Sequence, residues 1–138
     1  MSGFEQWIEY AEEDLWLSEA ALNGRKYRGA LYHAHQTVEK VLKAALIFKG
    51  IVPPKTHDLS RLAKRVERIF DIHFDKEAIA FLDSVYISSK YPGDFGLMPH
   101  GEPTKEDAER AVAYAKEIFD KILKVMGYDQ RGDHQGDS

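Results

Sequence analysis

The chain contains no cysteine. Disulfides, thiolate metal centres and cysteine nucleophiles are therefore excluded, and nothing ties the protein to an oxidising compartment. No apolar run approaches the roughly 18 residues that a membrane-spanning helix needs. The start, "MSGFEQWIEYAEEDLW", is acidic and amphipathic, unlike a secretion signal with its basic head and apolar centre, so a reducing cytoplasm is the expected location. Proline is scarce, at five residues in 138, and no segment alternates apolar and polar residues as a half-buried strand does. Glycine-rich phosphate loops and paired acid/base carboxylates at motif spacing are missing as well. No cofactor is implied.

What remains is helical. Hydrophobic residues make up 43% of the chain and charged residues 30%, an ordinary balance for one domain with a single core. The spacing predicts a first helix from about Ser2 to Asn23, opened by a Ser2–Glu5 capping box and closed by "NG". A second covers about Tyr27 to Lys49 and stops at Gly50, before the paired prolines 53–54. Asp58 is placed to cap a third, and Asp75 a fourth that runs on towards Pro92 with Val85, Tyr86 and Ser89 on its apolar side. Thr104 and Asp107 open a fifth, with an apolar seam from Ala108 to Met126. The predicted fold is all-α, an antiparallel up-and-down bundle of about five helices over residues 1–127. Residues 128–138 are expected to be a disordered tail.

Charge is segregated. Residues 25–68 hold eleven Lys and Arg against Glu39, Asp58 and Glu67, whereas the rest of the chain holds eight against twenty acids. A positive region of that kind suits an anionic partner. On the second helix, Leu31, Ala34, Val38, Val41, Leu42 and Ala45 form an apolar stripe. His33, Gln36, Lys40 and Lys43 fall within an arc of about 80° on roughly the opposite side. Lysine supplies point charge and Gln and His supply directional hydrogen bonds, the means of recognising a phosphate or nucleotide. On the third helix Arg61, Lys64, Arg65 and Arg68 share one face, a second candidate surface for a polyanion such as RNA or for an acidic chain. A metal site is not expected. His33 and His35 diverge by about 200° on a helix and cannot grip one ion, so His35 is read as a buried histidine satisfied by Glu39 or a tyrosine.

The segments "ALYHAHQTVEKVLKAALIFKG" (30–50), "THDLSRL" (56–62), "SSKYPGD" (88–94) and "DAERAVAYAKEIFDKI" (107–122), in this order and spacing, resemble the HEPN family, the higher eukaryotes and prokaryotes nucleotide-binding domain. The resemblance implies a homodimer and a genomic pairing with a small nucleotidyltransferase, as in toxin–antitoxin-like systems. It places His35, Gln36, Glu39, Lys40 and Lys43 in the family's helix-two signature. It sets Lys90, Tyr91 and Pro92 on an Arg-Tyr-Pro-like stretch, with lysine where arginine is usual. RNA-cleaving members carry an Arg–His pair near that point, whereas here His100 is the next histidine after Lys90. Arg28–His33, Arg28–His35 and Arg68–His73 have the right spacing elsewhere, but about one such match arises by chance. The reading is therefore a non-catalytic module for a nucleotide of the ATP or GTP type, working with a nucleotidyltransferase. Its site would be His33, Gln36, Lys40, Lys43, Lys90 and Tyr91, with no catalytic residue. The alternatives are a metal-independent ribonuclease toxin and a purely structural dimerisation protein.

Overall fold

The computed structural model describes residues 3–87 and 95–128, and these form a five-helix bundle with one short β-ribbon. The helices are α1 (Phe4–Asn23), α2 (Tyr27–Phe48), α3 (Leu59–Ile69), α4 (Lys76–Asp83) and α5 (Lys105–Met126). Strands β1 (Tyr86–Ile87) and β2 (Phe95–Leu97) pair antiparallel. At the centre lies α2, packed against α1, α3, α4, α5 and β2. From Val41 to Leu46 every residue of α2 is buried, Lys43 included, so this half of the helix has no solvent side. The expectation of one apolar stripe facing one polar arc holds only for its first half.

The local start signals act as expected. Asp58 accepts from the Arg61 amide at 3.1 Å and Asp75 from the Glu77 amide at 2.9 Å. Thr104 and Asp107 complete a reciprocal capping box, at 3.0 and 2.9 Å. Each satisfies first-turn donors that the helix itself leaves open. α1 begins at Phe4 behind Gly3; the expected Ser2–Glu5 capping box involves Ser2, which lies outside the described residues.

The fourth helix is shorter than predicted. It ends at Asp83 because the Asp83 carboxylate is engaged elsewhere, accepting from the Leu59 and Ser60 amides and the Ser60 hydroxyl at 2.8–3.0 Å. The last residue of α4 thus caps the start of α3. Beyond it, Val85, Tyr86 and Ile87 are β-branched or aromatic and favour extended backbone once a partner strand exists. Val85 still reaches the core, whereas Ser89 lies outside the described residues. Tyr128, placed in the tail by sequence, packs instead on the core with its ring edge-on to Phe4.

The ribbon sits hard against the first turn of α2. Gly96 has φ +75°, and a Cβ there would stand 2.0 Å from the Arg28 carbonyl oxygen. Only glycine allows that approach.

Candidate functional site

The charged groups of α2 are largely spoken for within the chain. Asp14, buried on α1, accepts from His33 Nδ1 at 2.7 Å and from Lys40 Nζ at 2.5 Å. Burial alone would raise its pKa. The hydrogen bonds and charges of His33 and Lys40 outweigh this and hold the carboxyl below its ordinary value. Glu39, equally buried, takes Lys43 Nζ on one oxygen and His57 Nδ1 on the other, both at 2.8 Å. Lys43 also lies 5.8 Å from the centre of the Trp7 ring. The expected positive arc is therefore not an open field: Lys40 and Lys43 are each neutralised by a carboxylate of their own chain. Lone charges are too costly to bury, so an enclosed helix has to recruit such partners.

His35 is enclosed, as expected, but its main partner differs from the one foreseen. Its Nε2 lies 3.1 Å from the His57 carbonyl, which can only accept, so the proton sits on Nε2. Nδ1 stands 3.9 Å from Glu39, beyond hydrogen-bond distance. Burial favours the neutral ring and pushes the His35 pKa down, against the opposing pull of the Glu39 carboxylate. Gln36 donates to the Tyr32 hydroxyl at 3.4 Å. Lys90 and Tyr91 lie outside the described residues. On α3 the row Arg61, Lys64, Arg65 and Arg68 is present as predicted, and among the described residues none of the four pairs with a carboxylate.

A different concentration of positive charge appears at the start of α2. A cavity of about 430 Å³ opens there, lined by Arg25, Lys26, Tyr27, Arg28, Phe95 and Glu102 among others. Among the described residues no side chain caps the helix at this end, which places its first-turn amides and positive dipole end at the same corner. Arg25 adopts φ +61°, a left-handed backbone that an arginine rarely takes. The Arg28 guanidinium lies 5.6 Å from the centre of the Phe95 ring, and Tyr32 meets the same ring edge-on at 5.3 Å. His33 continues the surface, its ring 5.1 Å from that of Tyr32. Among the described residues that line the cavity the acid is Glu102, 77% exposed at its side chain and 3.9 Å from Arg28.

Chemically, this corner offers three cations, helix-end amides, and two aromatic rings beside a histidine. Arg25, Lys26 and Arg28 belong to the positive region of residues 25–68 but lie outside the site expected from the sequence. Their signal was the basic run "GRKYRG" abutting a helix start, where an anion gains from both. Among the described residues no group of His, Asp or Glu is placed to hold a metal ion, and no helix is long and apolar enough to cross a membrane.

Comparison with known proteins gives concordant matches. The family model described as HEPN domain matches residues 4–125. A protein of Methanocaldococcus jannaschii named "Putative toxin MJ1304" is 33% identical over 132 residues, covering 86% of this chain and 85% of that protein. A second from the same organism, "Putative toxin MJ0605", is 25% identical over 126 residues with the same coverage. Among solved structures, TT1696 from Thermus thermophilus superposes with a TM-score of 0.74 at 26% identity, covering 90% of this chain and 98% of that one. ST0689, titled an archaeal HEPN homologue, gives 0.66 at 26% identity, covering 89% and 97%. With a family match over nearly all the described residues and a relative this similar over most of its length, the chain belongs to the HEPN domain family.

Proposed function

We propose that the chain is a nucleotide-binding HEPN module whose phosphate site is the cavity at the start of α2. It works as a homodimer beside a small nucleotidyltransferase in a cytoplasmic, toxin–antitoxin-like pair. The observation that carries the ligand half is the convergence of Arg25, Lys26 and Arg28 with an uncapped helix start around a cavity walled by Phe95. Phosphates would meet the cations and amides, and a base would stack on Phe95 or Tyr32. His33 and Gln36 extend this surface along the helix, and Lys90 and Tyr91 belong to the same proposal. Lys40 and Lys43, bound to Asp14 and Glu39, keep a structural task. The toxin names of two relatives support the two-component setting.

The test is calorimetry and thermal shift with ATP and GTP. Saturation to 100 times Kd should stabilise the protein by about 2.7 kcal/mol. Arg25→Gly relieves the left-handed backbone, so it should fold at least as well while losing affinity. Wild-type protein that shows no heat and no shift at millimolar nucleotide refutes the ligand reading.

One observation favours a second reading, a metal-independent ribonuclease. Ionised Asp14 holds the Nδ1 proton of His33, so a neutral His33 carries its lone pair on Nε2, on a ring 27% exposed. That is the arrangement of a general base oriented by a carboxylate, with Arg28 five residues earlier to steady a phosphate. It predicts RNA cleavage that disappears in His33→Ala and falls in Asp14→Asn. Absence of cleavage by the wild-type chain disposes of it.

A further inference from the structure

Two surface rows with the same spacing carry opposite charge. On α1, Glu9, Glu12, Glu13 and Trp16 lie at i, i+3, i+4 and i+7, which puts them on one face, all exposed. On α3, Arg61, Lys64, Arg65 and Arg68 repeat those intervals. Among the described residues, Glu9, Glu12 and Glu13 pair with no cation, just as the α3 row pairs with no carboxylate. Like charges three and four apart on a helix repel. Both rows keep that repulsion, whereas the charges of α2 are individually matched.

Each row also has an apolar feature that the other lacks. Trp16 is 66% exposed, the largest side chain on the surface left so open, and it stands at the end of the acidic row. Beside the basic row, between α3 and α4, a pocket of about 260 Å³ is lined by Ala63, Phe74 and Ile79 with Lys64 and Lys76, and by Ser60 and Glu67, whose carboxylate accepts from the Phe74 amide at 2.9 Å. An indole fits against those apolar side chains, and carboxylates flanking it would meet the lysines.

We infer that α1 of one copy docks along α3 of a second copy, with Trp16 seated in the α3–α4 pocket and Glu9, Glu12 and Glu13 against Arg61, Lys64, Arg65 and Arg68. This rests on the self-association proposed above and names its surfaces. The two faces are different patches. A two-fold arrangement makes the contact twice and closes a dimer, and any other rotation gives a ring or a chain. Placing an aromatic anchor in a pocket, rimmed by opposite charge, is how compact interfaces concentrate their affinity.

Sedimentation velocity over a concentration series, with circular dichroism to confirm folding, tests it on the full chain. Trp16→Ser and Lys64→Glu should each weaken self-association by about 30-fold or more, as loss of a central anchor does. Trp16 is exposed, and Lys64 has no carboxylate partner among the described residues, so neither change should disturb the fold. The two variants mixed should form a complex with each other, because one retains the pocket and the other the indole. Reversing both rows in one chain, Glu12→Lys and Glu13→Lys with Arg61→Glu and Lys64→Glu, should restore assembly. A wild type that stays monomeric at high concentration overturns this inference together with the homodimer reading. A wild-type dimer indifferent to Trp16→Ser and Lys64→Glu overturns this inference alone.

Discussion

Replacing Gly96 by alanine tests whether the ribbon is held against α2 by contact rather than by chance proximity. The new Cβ would lie 2.0 Å from the Arg28 carbonyl oxygen, 2.6 Å from its carbon and 2.9 Å from its Cα. All three are backbone atoms, so no flexible side chain can yield. Bringing the closest pair to a tolerable separation requires a retreat of about 1 Å by the ribbon or by the first turn of α2. Alanine also pays roughly 1–2 kcal/mol for a left-handed backbone. Overpacking of this kind typically adds about 1–3 kcal/mol. The sum, about 2–5 kcal/mol, corresponds to a melting point lower by roughly 6–20 °C in a domain of this size.

Gly50 supplies the control. Its φ is +77°, but a Cβ there meets nothing within 4 Å, so Gly50→Ala carries the backbone cost alone. Scanning calorimetry on both variants separates the two contributions. The retreat would also draw Phe95 away from Arg28 and Tyr32, so Gly96→Ala should lose nucleotide affinity while Gly50→Ala keeps it. If the two variants melt within about 2 °C of each other, the close approach is not what positions the ribbon.

Asp14→Ala leaves His33 and Lys40 without their carboxylate and opens a gap between α1 and α2. Since those two side chains are about a quarter exposed, the loss should be nearer 2–3 than 5 kcal/mol, read from urea denaturation. Stability should fall with acid in two stages. His35 has a lowered folded pKa, so the unfolded state binds the extra proton below about 6.5 and stability drops from there downwards; His35→Gln should flatten the dependence of melting temperature on pH below about 6.5. Asp14 also has a lowered folded pKa. Its contribution is present above the ordinary carboxylate range and disappears as pH falls through the folded value, a step missing from Asp14→Asn. Thr104→Ala removes half of the α5 capping box and should cost about 1 kcal/mol by the same denaturation assay.

Features that depend on a few neighbouring residues were legible in the sequence. Asp58, Asp75 and Thr104 cap helices because each reaches an amide two or three positions on, and such distances are fixed by the backbone. The end of α4 was not legible. Asp83 caps the start of a helix that begins 24 residues earlier, and β1 exists only because β2 lies beside it. The site suffered from the same cause. Angular arithmetic gathered His33, Gln36, Lys40 and Lys43 on one arc, yet it could not see that Asp14, 19 residues before His33 and 26 before Lys40, would occupy that arc from α1. Nor could it tell that the second half of α2 would be surrounded. Of the positive charge counted in residues 25–68, Arg25, Lys26 and Arg28 line a cavity at the helix start, where charge and backbone polarity coincide.

Glu39 receives Lys43 from its own helix and His57 from the far end of the α2–α3 connection, while the carbonyl of that same His57 accepts from His35. The connection is thus fastened at one residue by two bonds of different kinds, and side chains such as Val52 and Lys55 before it are exposed. Over evolutionary time, substitutions should accumulate freely at exposed positions such as Val52 and Lys55, whereas insertions and deletions should be scarce, because a change of length would carry position 57 out of reach of its anchor.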